Sequence, residues 1–461
     1  MDDIIKLSLT QLRDALSTRR VSARDVYLAY LGRIHRHNKT LNAYLTVLEE
    51  PVPSADGYKL PIAIKDNFCT AGVRTTASAK VLDTFVPPYE STVTDRLWKS
   101  GMSLIGKTNM DAWAHGSSTE TSDYGPSLNP WDISKAPGGS SGGSAVVVAA
   151  GLAPAAIGSE TAGSIRLPAA WCGIVGLKPT YGRVSRYGVI AMGSSLDCPG
   201  PMTRTVEDAA YILEVIAGRD PFDATSSPIP TDVYVRKLRE KKTFTIGVAE
   251  EYMKSATDEA RASIEQCLKL FTQLGHKIKH VRLLNPTYSI SVYTIIQRAE
   301  VSSNLARYDG IRYGLGRDAF GAEAKRRIML GTYTLAHGYY DAFYKKAQKV
   351  RTLIIDDFQK AFRDVDVIVA PTTPTTAIKL GEFEKYPFFG EQMDLLSEPS
   401  SMAGLPAITV PSGLGSDGMP LGMQIIGPQF EETRVLQLAK QYEDETSGFD
   451  GIATQQLSKW A

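Results

Sequence analysis

Apolar residues recur at helical spacing from the start of the chain. Leu9, Leu12 and Leu16 share one helical face behind Ser8, a residue suited to cap a helix N-terminus. Ser22 with Asp25 has the form of a capping box, opening a second helix whose apolar stripe is Val26, Tyr30 and Ile34. This pattern predicts helices through residue 50. Residues 51–58, Pro-Val-Pro-Ser-Ala-Asp-Gly-Tyr, predict a loop that delivers the chain to a short apolar strand over 60–64. From there to about residue 218, short apolar runs alternate with glycine-rich turns and helical segments. Residues 221–230, rich in proline and serine, are the most linker-like stretch. A βαβ-like unit follows, with strands over 244–249 and 277–283 around a helix over 258–274. Helices dominate 293–362, and a buried strand over 365–370 leads into Pro-Thr-Thr-Pro. Residues 408–410 and 423–426 flank Asp417-Gly418 as the arms of a hairpin. The alternation predicts an α/β fold, one α/β/α sandwich rather than separate modules. Its parts are N-terminal helices over 1–50, a core over 60–218 and a C-terminal part over 243–461.

Composition narrows the function classes. In 461 residues, 43% hydrophobic and 22% charged content describe an ordinary globular chain, and a net charge of +1 provides no field to grip a polyanion. Contact with nucleic acid is therefore expected through a partner. The longest apolar run, 145–157, is broken by Gly151 and Pro154 and is too short to cross a bilayer. The opening Met-Asp-Asp-Ile-Ile-Lys-Leu-Ser lacks a basic region before an apolar stretch, so no secretory signal is expected. Cys69, Cys172, Cys198 and Cys267 lie far apart without a Cys-x-x-Cys pair. Free thiols in a cytoplasmic protein, with no metal site, are the expectation.

The chemistry concentrates in residues 136–170, where two glycine-serine clusters, 138–144 and 161–164, flank one apolar element. Glycine loses more backbone entropy on folding than any other residue, so dense clusters call for a geometric reason. Here that reason is backbone N–H groups and hydroxyls packed around a reacting atom. Upstream, Lys65 interrupts Pro-Ile-Ala-Ile, where burial can strip its charge. The constellation resembles the amidase signature family, whose catalytic set is Ser–Ser–Lys. Lys65 lies 75 residues before Ser140, and Ser164 lies 24 after it, as in that family. The resemblance covers nearly the whole chain. Residues 176–189, 325–332 and 338–351 are most similar to the family's glutamine-hydrolysing subunits of tRNA-dependent amidotransferases.

The resemblance implies an α/β/α sandwich with a central mixed sheet, Ser164 as nucleophile, Ser140 as bridge and Lys65 as base. Thr161, Ala162 and Gly163 would supply the oxyanion hole. To act as a base, Lys65 must fall from about 10.4 toward roughly 7–8, and Asp66 is expected to face elsewhere. For glutamine, the implied contacts are Tyr293, Asp394 for the ammonium, Arg327 or its neighbour Arg326 for the carboxylate, and Ser141. Arg327 is the nearer match. No cofactor is implied in this chain. Partner subunits B and C would complete the complex: ATP and Mg would serve B, C would be small, and aminoacyl-tRNA would be reached through the assembly. Where the family shows Asp-Thr-Gly-Gly-Ser, this chain has Glu160-Thr161-Ala162-Gly163-Ser164. Ala162 is therefore expected at negative φ, with the need for glycine resting on Gly163.

Other readings compete. A free-standing amidase would keep Lys65, Ser140 and Ser164 without needing the arginine or Asp394. Residues 101–108, Gly-Met-Ser-Leu-Ile-Gly-Lys-Thr, match a phosphate-loop pattern, but Met102, Leu104 and Ile105 make the middle strand-like. Residues 139–143 match Gly-x-Ser-x-Gly, as any glycine-serine run can. Of six histidines, only His115 lies in a stretch able to line the site.

Overall fold

A computed structural model describes residues 2–52, 60–312, 314–382 and 389–461. Eleven strands form one sheet: β1 (Tyr44–Val52), β2 (Leu60–Lys65), β3 (Met102–Thr108), β4 (Ala155–Glu160), β5 (Val175–Lys178), β6 (Cys198–Thr203), β7 (Thr245–Ala249), β8 (Lys277–Val281), β9 (Val367–Pro371), β10 (Ala407–Leu414) and β11 (Pro420–Ile426). Their order is β1-β3-β2-β4-β6-β5-β10-β11-β9-β7-β8. Pairing is parallel from β3 through β2 to β4 and from β9 through β7 to β8. It is antiparallel across the centre and at the β1 edge. The sheet is therefore mixed, as expected, and it draws on residues from both ends of the chain.

Strand periodicity divides the core into two layers. In β9, Val367 and Val369 join one apolar cluster while Ile368 and Ala370 join the other. The first cluster takes in Leu12, Val26 and Tyr30 from the N-terminal helices, Ile264 and Phe271 from helix Asp258–Gln273, and Val435 from helix Glu432–Glu445. The second takes in Tyr293 and Ile296 from helix Pro286–Asn304, with Ile354 and Phe358 from helix Lys346–Ala361. Helices thus cover both faces.

Most local expectations match closely. Ser8 and Ser22 cap their helices, and β10 and β11 form the hairpin across Asp417-Gly418. One does not. Residues 44–52 form β1 rather than helix, because Asn42 adopts a left-handed conformation (φ 46°) that ends helix Ala23–Leu41. The expected loop loses its first two residues to β1, and its remaining residues lie outside those described. The phosphate-loop lookalike is β3. Its Lys107 is buried, donating to Phe68 O and Thr75 Oγ1, both at 2.7 Å, and cannot reach a nucleotide.

Candidate active site

Lys65 ends β2, between β3 and β4, and is wholly buried. Its Nζ donates to Ser140 Oγ and Ser141 Oγ, both at 2.8 Å, and to Ser159 O at 3.1 Å. Burial pulls its pKa down to about 7, against the opposing pull of Asp111, Asp197 and Glu160. Asp66 faces away, as expected. It accepts the Thr76 N–H at 2.9 Å and lies 3.6 Å from Lys107.

Ser140 and Ser141 precede helix Gly142–Ala149. A side chain at Gly139 would collide with the Asp111 carboxylate, so glycine lets this loop approach the segment beneath it. The Ser141 N–H donates to Ser164 O at 3.1 Å, tying the two serine-bearing loops together. Ser141 Oγ lies against Lys65 and donates to Ser159 O at 3.1 Å. It is therefore committed behind the site, which corrects its expected role as a substrate contact. Among the hydrogen bonds of the described residues, none joins Ser140 Oγ to Ser164 Oγ.

The second cluster turns from β4 into helix Arg166–Cys172. Glu160 Oε2 accepts the N–H groups of Ile165 at 3.0 Å and Arg166 at 3.1 Å, satisfying the helix start. The N–H groups of Thr161, Ala162, Gly163 and Ser164 find no acceptor among the described residues. Ala162 is absent from the positive-φ residues, as expected, and so is Gly163. Glycine is needed at 163 for space instead: a Cβ there would collide with Asp394 Oδ1 and Ser397 Oγ. Gly163→Ala should destabilise the protein by about 1–3 kcal/mol, since overpacking forces its neighbours apart. Ala162→Gly should cost about 0.5–1 kcal/mol through added chain entropy. Thermal unfolding of both variants checks this order.

Ser164, Tyr293, Arg327 and Asp394 line one pocket, joined by Ser117 and Glu391. Tyr293 Oη lies 3.4 Å from Thr161 Oγ1. Arg327 is buried, with Nε donating to Glu323 at 2.6 Å. Arg326, one residue earlier on helix Ala322–Leu335, points outward and pairs with Glu323 at 2.8 Å. Arg326 is thereby removed from the substrate contacts, because adjacent helical residues project about 100° apart. Asp394 Oδ2 accepts from Ser117 Oγ at 2.9 Å, whereas its buried Oδ1 has no partner among the described residues. Burial raises the pKa of Asp394 well above its usual range. Sequence reasoning missed Ser117 and Glu391, and no local pattern marks either. Burial, reinforced by Arg327 and Arg298, holds His115 well below its usual pKa, and neither ring nitrogen has a partner among the described residues. No group of three or more His, Cys, Asp or Glu among the described residues is placed to hold a metal ion.

The amidase family model matches residues 25–436. The chain is 47% identical to the A subunit of the glutamyl-tRNA(Gln) amidotransferase of Halothermothrix orenii, covering 95% of this chain and 96% of that one. Identity to the protein of the same name from Geobacillus kaustophilus is also 47%, covering 95% and 97%. The crystal structure of the glutamyl-tRNA(Gln) amidotransferase A subunit from Thermotoga maritima superposes with a TM-score of 0.84. It is 39% identical, covering 95% of this chain and 94% of that one.

Proposed function

The chain belongs to the amidase family, and we propose that within it this protein is the glutamine-hydrolysing subunit of a tRNA-dependent amidotransferase. Ser164 Oγ attacks the γ-carboxamide carbon of glutamine. Its proton passes through Ser140 to a neutral Lys65, and the oxyanion is met by the uncommitted N–H groups of Thr161, Ala162 and Gly163. Collapse of the tetrahedral intermediate returns the proton to the departing nitrogen, releasing ammonia and leaving a γ-glutamyl ester on Ser164. Water, deprotonated by the same relay, then frees glutamate. Ammonia goes on to Glu-tRNA(Gln), Asp-tRNA(Asn) or both, activated on partner subunits B and C with ATP and Mg²⁺. The net charge of +1 suits a chain that leaves tRNA contact to those partners. We place this work in the cytoplasm, in keeping with four buried free cysteines.

One observation carries the choice of glutamine: Arg327 and Asp394 open onto the same pocket as Ser164. A cation and a carboxylate flanking one nucleophile suit the two charges of an α-amino acid, which a free-standing amidase for simple amides does not require. An ammonium against Asp394 Oδ1 supplies the counter-charge that restores the carboxylate. Arg327→Lys and Asp394→Asn should each raise the KM for glutamine by about 10- to 100-fold, the equivalent of losing a charged hydrogen bond. Arg326→Ala should leave it unchanged. Ammonia release from glutamine, measured on the protein with its copurifying subunits and charged tRNA, tests the reading. Unaltered KM values in the Arg327 and Asp394 variants would refute it.

A further inference from the structure

Arg166 stands outside the chemistry just described, yet its guanidinium joins two parts of the site. It is fully buried and pairs with Glu160 through Nε at 2.9 Å and Nη2 at 2.6 Å. Neutralising Glu160 needs no more than that bidentate fork. The guanidinium nevertheless reaches further. Nη2 also donates to Ala162 O at 3.0 Å, Ser397 O at 2.7 Å and Ser401 Oγ at 2.9 Å. Nη1 donates to Ser400 Oγ at 2.9 Å and Gln424 Oε1 at 2.6 Å. Ala162 belongs to the turn whose N–H groups face the reacting carbonyl. Ser397 is bound to the residue that would hold the substrate ammonium, since its N–H and Oγ donate to Asp394 O at 3.0 and 3.2 Å. Ser401 Oγ closes the loop, donating to Ala162 O at 2.7 Å. With no Cβ at Gly163, the turn lies directly against Asp394 Oδ1.

We propose that Arg166 is a positioning residue that sets the spacing between the carbonyl-binding turn and Asp394, so that the pocket measures the reach from the γ-carboxamide to the α-ammonium. This rests on the glutaminase reading above. That reach is a fixed property of glutamine, one methylene longer than in asparagine. A planar guanidinium, held at both amino groups and Nε, is a stiffer spacer than any single hydrogen bond. Buried networks of this kind hold their members in one arrangement when every donor is satisfied.

The test compares glutamine with 4-carbamoylbutanoate, its analogue lacking the α-amino group, on the full chain purified with its copurifying subunits. Ser401→Ala removes one strap and leaves the Arg166–Glu160 pair in place, while Arg166→Lys keeps the charge but loses the fork. In each variant the kcat/KM preference for glutamine over the analogue should shrink about tenfold, the worth of one hydrogen bond to a charged group. Hydrolysis of the analogue should stay within about threefold of wild type for Ser401→Ala. If both substrates slow by the same factor in Ser401→Ala, or its preference is unchanged, Arg166 is a structural pair and nothing more. A wild-type complex that releases no ammonia from glutamine defeats the functional reading and this proposal together. A wild-type complex that works, with variants of unaltered preference, defeats the proposal alone. If Arg166→Lys fails to fold, Ser401→Ala alone decides.

Discussion

Ser164→Ala is expected to abolish ammonia release from glutamine, by about 10⁴- to 10⁶-fold, the range found when a serine nucleophile is removed from a working relay. The change deletes one oxygen. The Ser164 carbonyl that receives the Ser141 N–H remains, as does the Glu160 cap on the following helix. Thermal unfolding should therefore be close to that of the native protein. In the intact enzyme, rapid quenching during turnover and mass spectrometry should place a γ-glutamyl ester on Ser164. An acyl group on Ser141 or on any cysteine would overturn the assignment. The geometry disfavours both, since Ser141 Oγ is engaged by Lys65 and Ser159, and burial raises the thiol pKa of all four cysteines.

Lys65→Arg is expected to be as inactive as Lys65→Ala, although it keeps the positive charge, because a guanidinium does not lose its proton in proteins. Activity of the native enzyme should rise with pH through a single ionisation near the value of about 7 that burial imposes on Lys65, and then level off. The same shift governs stability. The native lysine titrates at about 7 and the unfolded one near 10.5, so between those values only the unfolded chain binds the proton. Lys65 therefore lowers stability progressively as pH falls from 10.5 to about 7, and by a constant amount below that. Lys65→Met should be inactive yet no less heat-resistant than the native protein at neutral pH. A pH–rate profile without a limb near 7, or an active arginine variant, would show that the lysine is an electrostatic prop. The proton acceptor would then lie elsewhere.

Much of the architecture is legible locally. Helix caps at Ser8 and Ser22 follow from side chains within three residues of the N–H groups they satisfy. The hairpin of β10 and β11 follows from a turn dipeptide between apolar runs. The apolar middle of residues 102–108 marks a strand despite its phosphate-loop lettering. The missed strand, β1, pairs with β3 across more than fifty residues and is mostly half-exposed, so its own pattern carries little period. The site shows the same division. The types of the reacting groups, and the burial that neutralises a lysine, can be read from residues 60–68 and 136–170 together with the family resemblance.

What one-dimensional order leaves open is direction. Arg326 and Arg327 are chemically identical neighbours, and only the packing of helix Ala322–Leu335 turns the second inward. Ser140 and Ser141 both reach Lys65, and only the fold commits the second to Ser159. Ser117, Glu391 and the partners of Arg166 enter because the sheet brings β4 and β11, and the segment from 389 to 402, together over separations of more than 200 residues. Residue types and local hydrogen-bonding rules determine which chemistry this chain can hold and where its elements begin. The long-range strand order alone decides which groups meet. Contacts between distant segments depend on how whole elements pack, and no local periodicity encodes that.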